Sequence, residues 1–190
     1  MMARPREFDI DEALEAAMNL FWAQGYEATS MQELVDVLGI KKGSLYAAFG
    51  DKRQLYLAAL RHYDKLEIAG GIAILDGRGD GADRIKRLFG NVTRVVGNGD
   101  RRGCFLCNAA VEQTPVDTEV DDYVSAGMRR IEAAFARALA DSPGADMAAA
   151  QALTTAYMGL RVMAKGGTAV VELKRTASRL VAALCHPMQI

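Results

Sequence analysis

Cys104 and Cys107 are the residues of this 190-residue chain whose type and spacing most directly suggest chemistry. In a helix, positions i and i+3 lie on one face, so the two thiols would be neighbours. A thiol at a helix N-terminus, with Arg101 and Arg102 beside it, can have a lowered pKa and react with oxidants or electrophiles. The simpler interpretation, which we favour, is that both cysteines are small apolar residues in a core.

A structural zinc site is not expected from these two cysteines. Such sites usually have four ligands, and the other candidates, Cys185, His62 and His186, are remote in sequence. We therefore predict no metal and no cofactor. The sequence contains no GxSxG, Walker A or HExxH motif, and no thioredoxin-like βαβ pattern surrounds the cysteines. We predict that the protein is not an enzyme.

A second group of residues, between positions 41 and 46, is suited to contact DNA. Lysines neutralise phosphates, a glycine allows close approach, and serine and tyrosine hydroxyls can bind bases or phosphates. The predicted contacts on this segment are Lys41, Lys42, Gly43, Ser44 and Tyr46.

Three flanking residues are expected to contact the DNA backbone. Thr29 and Ser30 stand at the start of the preceding helix, where free N–H groups favour phosphate, and Lys52 lies near the start of the following one. Residues 39–53 carry a net charge of +3, whereas residues 1–65 carry −2. The predicted interface is therefore a focused basic patch and not a basic domain.

Helical signals place these residues on short helices. Ser30 and Glu33 form a capping box at the start of one helix, and Gly39 separates it from a second helix at residues 42–49. Two short helices joined by a tight turn with glycine form a helix-turn-helix. A long fourth helix follows, with Asp51 and Gln54 as its capping box, and we expect it to end at the glycine pair Gly70–Gly71.

The rest of the chain has apolar residues at helical spacing. We predict an all-α protein of about nine helices, with a three-helix DNA-binding domain at residues 1–50 and a larger helical domain at residues 51–190. A composition of 51% hydrophobic and 25% charged residues is that of a soluble globular protein. Because no signal-peptide core and no run of 18 apolar residues occurs, we expect a cytoplasmic protein that does not enter membranes.

The segment Gly25–Leu60, GYEATSMQELVDVLGIKKGSLYAAFGDKRQLYLAAL, resembles the DNA-binding region of the TetR family of bacterial transcriptional regulators. One departure is Ala47-Ala48, where relatives often carry a bulkier residue, and this bears on base preference. The matching features are Gly25-Tyr26, the Thr29-Ser30 pair, Gly39, the run Lys42–Tyr46, Phe49, and Lys52 followed by Leu55.

The resemblance implies a homodimeric regulator, a repressor by family habit, that binds a palindromic double-stranded DNA operator. It also implies a small-molecule effector in the larger domain, which releases the protein from DNA. The last two helices would form the dimer face, with Ala156, Gly159 and Ala164 allowing close packing and the stripe Val170–Leu184 pairing with its counterpart.

The effector contacts are predicted from position alone: Tyr63, Phe89, Cys104, Cys107, Asn108, Tyr123 and Tyr157. An alternative function is a thiol-based regulator that senses oxidants or electrophiles through Cys104 and Cys107. A purely structural helical protein is the third possibility, and it leaves the cluster at Lys41–Tyr46 without a role.

Overall fold

A computed structural model of the protein describes residues 8–113, 116–140 and 146–185, and the regular structure in these ranges is entirely helical. The all-α prediction is confirmed. None of the described helices combines the length and apolar character that crossing a membrane requires. The elements are α1 (Ile10–Gln24), α2 (Met31–Leu38), α3 (Lys42–Phe49), α4 (Lys52–Tyr63), a π-helical turn (Asp64–Ile68), α5 (Ala69–Leu75), α6 (Gly81–Gly97), α7 (Phe105–Glu112), α8 (Thr118–Leu139), α9 (Met147–Lys165) and α10 (Val170–Cys185).

Capping boxes start two of the N-terminal helices where the sequence predicts them. At α2, the Ser30 hydroxyl accepts a hydrogen bond from the Glu33 amide at 3.1 Å, and the Glu33 carboxylate accepts one from the Ser30 amide at 2.8 Å. Asp51 and Gln54 form the same pair of bonds at α4. Gly39 has a φ of +64°, a left-handed conformation that allows the tight turn between α2 and α3.

The prediction that Gly70–Gly71 ends the fourth helix is wrong. Helical backbone continues from α4 through the π-helical turn into α5, so the described ranges contain nine continuous helical segments. A helical glycine costs about 1 kcal/mol relative to alanine, and packing of α5 against α6 and α8 offsets this cost. A Cβ atom on Gly71 would lie 3.4 Å from the Leu88 side chain, so this position faces the α6 contact.

The internal contacts of the chain define two compact units, Met1–Lys65 and Leu66–Ile190. In this division α4 belongs to the first unit, because it packs against α1 and α3. Leu55 and Leu60 of α4 are fully buried. The first unit therefore consists of the helix-turn-helix and the two helices that support it.

The core of the first unit holds the helix-turn-helix in place. Phe21 of α1 packs edge-on against Tyr56 of α4, with 5.1 Å between the ring centroids. Leu34 of α2 and Leu45 of α3 are fully buried. One leucine from each helix of the motif thus anchors it to the core, and burial of such a side chain stabilises by about 1.5–3 kcal/mol.

Three aromatic rings join three helices in the core of the second unit. Phe89 of α6, Phe135 of α8 and Tyr157 of α9 are all buried. Their centroids are separated by 6.3 Å, 5.7 Å and 6.0 Å, within the range for favourable ring pairs. Around this cluster, α10 packs on α6 and α9, and α7 packs on α8.

Candidate DNA-binding surface and sensory site

The outer face of α3 carries most of the predicted DNA contacts. Lys41 is the N-cap residue of α3, and Lys42, Gly43 and Tyr46 are exposed on its first turns. The Tyr46 side chain is 43% exposed, a large fraction for an aromatic residue that has no structural role on this face. Ser44 is half-buried. The structure therefore brings two cations, an open backbone and a phenol onto one short surface.

Gly43 leaves the backbone of α3 accessible. No described residue outside its own helical turn lies within 4 Å of the position that a Cβ atom on Gly43 would occupy. Its φ is also not positive. The fold of this chain thus does not require a glycine at position 43. A partner that approaches the helix backbone closely would require one.

Ser30 and Glu33 together occupy the N-terminus of α2. Hydrogen bonds from the Ser30 backbone and side chain hold the pKa of the exposed Glu33 carboxyl below its usual range. The Ser30 oxygen accepts a hydrogen bond from the Glu33 amide, and its hydroxyl proton is directed at the Glu33 carboxylate, so a phosphate would have to compete with that carboxylate for it. A phosphate at this helix end would share the free amides with the Glu33 carboxylate.

Thr29 does not have the predicted role. Its side chain is fully buried, and its hydroxyl donates a 2.7 Å hydrogen bond to the Gly25 carbonyl oxygen. The Thr29 hydroxyl thus holds the turn between α1 and α2, and the predicted phosphate contact at this helix start falls to the backbone N–H groups. The sequence shows that threonine suits a helix start but does not show that this one points inward.

Lys52 is positioned by an aromatic ring. Its Nζ lies 4.3 Å from the centroid of the Tyr26 ring, a cation–π contact. Tyr26 itself packs edge-on against Tyr56, with 5.0 Å between their centroids. The Lys52 charge also lowers the pKa of Glu33. Lys52 is thus held at the start of α4, on the side of the N-terminus of α2.

The two cysteines lie at the start of α7, as their spacing predicts. Cys104 is the N-cap residue and is 1% exposed, and Cys107, in the first turn, is 8% exposed. The Cys107 Sγ lies 3.3 Å from the Met158 Sδ on α9. A hydrogen bond between the two thiols, together with burial, raises the pKa of Cys107 far above its usual range. Cys107 is therefore a neutral thiol at physiological pH.

A cation that acts on these thiols is Arg161 of α9. One of its Nη atoms donates to the Gly103 carbonyl oxygen at 2.8 Å, and the other donates to the Tyr157 hydroxyl at 3.1 Å. Burial raises the pKa of Tyr157, and the Arg161 charge opposes that rise. The same charge acts on Cys107 in the direction that favours its thiolate. The sequence analysis did not identify Arg161 as a residue of this site. The signal that could have indicated it is an arginine within the apolar stretch Tyr157–Ala164.

The arginines predicted to activate Cys104 are used to hold the preceding loop. Arg101 donates to the Thr168 carbonyl oxygen at 3.0 Å. Arg102 forms an ion pair with Asp100 at 2.7 Å, and this pair lowers the pKa of Asp100. The loop before α7 is thus fixed to the end of α9. Arg101 and Arg102 therefore have partners other than the Cys104 thiol.

Comparison with known proteins identifies the family. The model for bacterial regulatory proteins of the tetR family matches residues 13–59, which run from α1 into α4. The chain is also 31% identical over 177 residues to the HTH-type transcriptional repressor BdcR of Escherichia coli (strain K12), covering 92% of this chain and 88% of that protein. This chain belongs to the TetR family. It is a DNA-binding transcriptional regulator.

Further relatives agree with this TetR-family assignment. The uncharacterized HTH-type transcriptional regulator YezE of Bacillus subtilis (strain 168) is 34% identical over 135 residues, 70% of each chain. A cysteine mutant of the TetR family transcriptional regulator CifR, complexed with a 26-bp double-strand operator DNA, superposes with a TM-score of 0.85 at 30% identity and covers 95% of this chain and 99% of that chain. Escherichia coli NemR in its reduced form shares the fold, with a TM-score of 0.79 at 21% identity, covering 91% of this chain and 95% of that chain.

The predicted effector residues of this TetR-family regulator are distributed over both units. Phe89 and Tyr157 are in ring contact in the second unit. Asn108 of α7 donates a hydrogen bond to the Arg102 carbonyl oxygen at 3.3 Å, and Tyr123 is half-buried on α8. Tyr63 belongs to the first unit, where it packs edge-on against Trp22 with 4.9 Å between the centroids.

Two cavities of very different size lie in the second unit. The cavity beside Tyr157 has a volume of about 10 Å³, room for roughly one water molecule. An open groove between α6 and α10 has a volume of about 580 Å³, which is within the range of small-molecule sites. The groove includes the predicted effector residue Phe89, and its lining residues are Asp83, Lys86, Arg87, Phe89, Gly90, Thr93, Lys174, Ala177, Ser178 and Val181.

Proposed function

We propose that this TetR-family regulator is a homodimeric repressor that binds a palindromic operator through α3 and is released by a small-molecule effector. The observation that carries this proposal is the exposed face of α3, with Lys41, Lys42, Gly43 and Tyr46 opposite the buried Leu45. The operator complex of the CifR mutant and the repressor name of BdcR support it.

In the proposed complex, α3 enters the major groove. Lys41 and Lys42 neutralise phosphates, and the open backbone at Gly43 allows close approach to the DNA. Tyr46 donates its hydroxyl to a phosphate or a base edge. Two copies of α3 in the dimer contact half-sites about 34–36 Å apart, so an effector that changes this spacing releases the operator.

The proposed dimer face is the outer surface of α9. Exposed residues recur there every three or four positions, with Val162 56% exposed. No described residue outside its own helical turn lies within 4 Å of a Cβ position on Gly159, so a partner helix can approach at this point. The stripe consists of Ala148, Gln151, Thr155, Gly159 and Val162, with Met163 beside it.

Part of the dimer prediction has to be corrected. The stripe Val170–Leu184 contains Leu173 and Ala177, which are buried within the chain, where α10 packs on α6 and α9. Ala164 is also buried. These residues form the core of the unit. The exposed side of α10, which begins with Val171, is the part available to a partner.

The groove between α6 and α10 is the proposed effector site. It combines apolar surface from Phe89 and Val181 with the cations of Lys86 and Lys174. An effector with an apolar body and an anionic group would match both. Contacts to Tyr123, Asn108 and Tyr157 stay predictions, because the cavity beside Tyr157 must enlarge before it can hold more than a water molecule.

A Gly43→Ala variant tests the operator contact directly. We expect it to fold at least as stably as the wild type, because alanine is favoured over glycine in a helix by about 1 kcal/mol. We expect its affinity for the operator to fall by about tenfold, equivalent to about 1.4 kcal/mol, because the added methyl group keeps the backbone away from DNA. Thermal unfolding and fluorescence anisotropy with the chain's own upstream DNA and a scrambled duplex measure the two effects.

Gly90→Ala is the matched control for this experiment. Gly90 is also helical, has no positive φ and has an open Cβ position among the described residues, but it lies on α6 in the second unit. Its operator affinity should match that of the wild type. Equal affinities for wild type and Gly43→Ala would show that DNA does not approach this face of α3, and would remove the proposed contact.

Thiol-based sensing is a second candidate function, supported by the contact between the two thiols and by the nearby Arg161. Hydrogen peroxide would oxidise the Cys104 thiolate to a sulfenic acid and release hydroxide, which takes a proton from solvent to become water. The Cys107 thiol would then attack that sulfur, forming a disulfide and releasing a second water molecule. Burial of both cysteines opposes this candidate, because peroxide must reach Cys104.

A Cys104→Ser variant is expected to bind the operator with wild-type affinity and to lose any response to hydrogen peroxide. Anisotropy before and after peroxide treatment measures this, with Cys185→Ser as the control for a buried cysteine elsewhere. A peroxide response that is unchanged in Cys104→Ser would rule out the sensor.

A further inference from the structure

We propose that Cys104, Cys107 and Met158 form a binding site for a soft monovalent metal ion, Cu(I). This site goes beyond the proposed regulatory function. It would bind the ion whether or not the thiols respond to oxidants, and whether or not the ion changes operator affinity.

The three sulfur atoms converge from two helices. Cys104 and Cys107 flank the first turn of α7 and share a hydrogen bond, and the Cys107 Sγ is 3.3 Å from the Met158 Sδ on α9. Soft thiolate and thioether ligands favour Cu(I), zinc and iron–sulfur clusters over harder metal ions. Cys107 already contacts the Met158 sulfur, and Cys104 stands three positions earlier at the start of the same helix, so side-chain rotations can bring all three sulfurs to one ion.

Divalent metals fit this site poorly. Zinc usually takes four nitrogen, sulfur or oxygen ligands. In the described part of the chain, no group of three or more His, Cys, Asp or Glu side chains is placed to hold a metal. A set of two thiols and one thioether is too small and too soft for zinc, but it suits an ion that accepts two or three sulfur ligands.

The charge of the surroundings also favours a monovalent ion. When Cu(I) binds, both thiols lose their protons to solvent, so the complex of one cation and two thiolates carries a net charge of −1. The Arg161 guanidinium donates a 2.8 Å hydrogen bond to the carbonyl oxygen of Gly103, the residue before Cys104, and a 3.1 Å hydrogen bond to the Tyr157 hydroxyl, so a fixed positive charge lies beside the thiol pair. A divalent ion with the same ligands would be neutral and would not gain from this arginine.

Burial makes the site selective for an ion that gives up its water readily. Cys104 and Cys107 are 1% and 8% exposed, and the residues between them, Phe105 and Leu106, are fully buried. Strongly hydrated cations such as Mg²⁺ lose too much solvation energy in such surroundings. Met158 is only half-buried, which makes its side the path by which an ion would reach the thiols.

Competition with a coloured chelator tests the proposal on the full-length, fully reduced protein. Under anaerobic conditions, the wild type should withdraw about one equivalent of Cu(I) from its bathocuproine disulfonate complex, with new ultraviolet absorption from sulfur-to-copper charge transfer. Met158→Leu conserves side-chain volume and keeps both thiols. It should bind Cu(I) about tenfold more weakly or worse, because a ligand is lost.

The controls separate this site from other sulfur atoms. Cys107→Ser should abolish tight binding, whereas Cys185→Ser and Met163→Leu, an exposed methionine on the same helix, should bind as the wild type does. Circular dichroism establishes that each variant is folded, and Met158→Leu keeps the test decisive if a cysteine variant does not fold.

Three results would overturn the proposal: no withdrawal of Cu(I) by the wild type, unchanged affinity in Met158→Leu, or displacement of bound Cu(I) by an equal concentration of Zn²⁺. Operator binding is not measured in this experiment. Failure of the metal site therefore leaves the proposed function untouched, and loss of operator binding in other variants leaves the metal site untouched.

Discussion

Replacement of both Lys41 and Lys42 by alanine is expected to lower operator affinity by about 30-fold at physiological salt. Each lysine that neutralises a phosphate contributes about −0.9 to the slope of log K against log salt concentration. The slope of the double variant should therefore be shallower by about 2. Both side chains are exposed, so the free energy of unfolding should change little. Anisotropy titrations over a series of salt concentrations measure both quantities.

The matched control removes the same charge from the second unit. Lys86 and Lys174 are exposed on α6 and α10, and Lys86→Ala/Lys174→Ala should keep the wild-type salt slope. If both double variants lost affinity equally, net charge and not the surface of α3 would determine binding, and the assignment of Lys41 and Lys42 to phosphates would be wrong.

Val162→Glu is expected to convert the proposed dimer into a monomer and to lower operator affinity by more than about 100-fold. A glutamate buried in the proposed helix interface would have to be desolvated without a partner. Two linked half-site contacts bind about 10²–10⁴-fold more tightly than one, and a monomer loses this gain. Sedimentation velocity gives the oligomeric state, and anisotropy gives the affinity.

Val111→Glu is the control for this substitution. Val111 on α7 is 82% exposed, more than Val162 at 56%, but it lies outside the proposed dimer face. This variant should keep the mass and operator affinity of the wild type. A Val162→Glu protein that sediments as a dimer would place the interface on another surface.

Local signals in the sequence were enough to predict the first unit closely. The capping boxes at Ser30 and Asp51 form as expected, and the turn at Gly39 has the left-handed backbone that glycine allows. Such features depend on residues three or four positions apart, so they can be read without knowing the fold. The exposed face of α3 follows for the same reason, because helical spacing separates Lys42 and Tyr46 from Leu45.

The sequence also predicted that the two thiols are neighbours, because the spacing of Cys104 and Cys107 alone places them on one face of a helix. It predicted their burial as the simpler interpretation, and the structure confirms it. It did not indicate Met158 or Arg161 as part of the same cluster. Both residues come from α9, about 50 positions later, and only the packing of α9 beside the start of α7 places them there.

Tertiary structure also decided which helical residues face inward. Thr29 has the type expected of a phosphate contact, but packing buries it and its hydroxyl binds Gly25. Gly70–Gly71 has the type expected of a helix end, but contacts of α5 with α6 and α8 keep the helix intact. In both cases the local preference amounts to about 1 kcal/mol or less, and burial against neighbouring helices outweighs it.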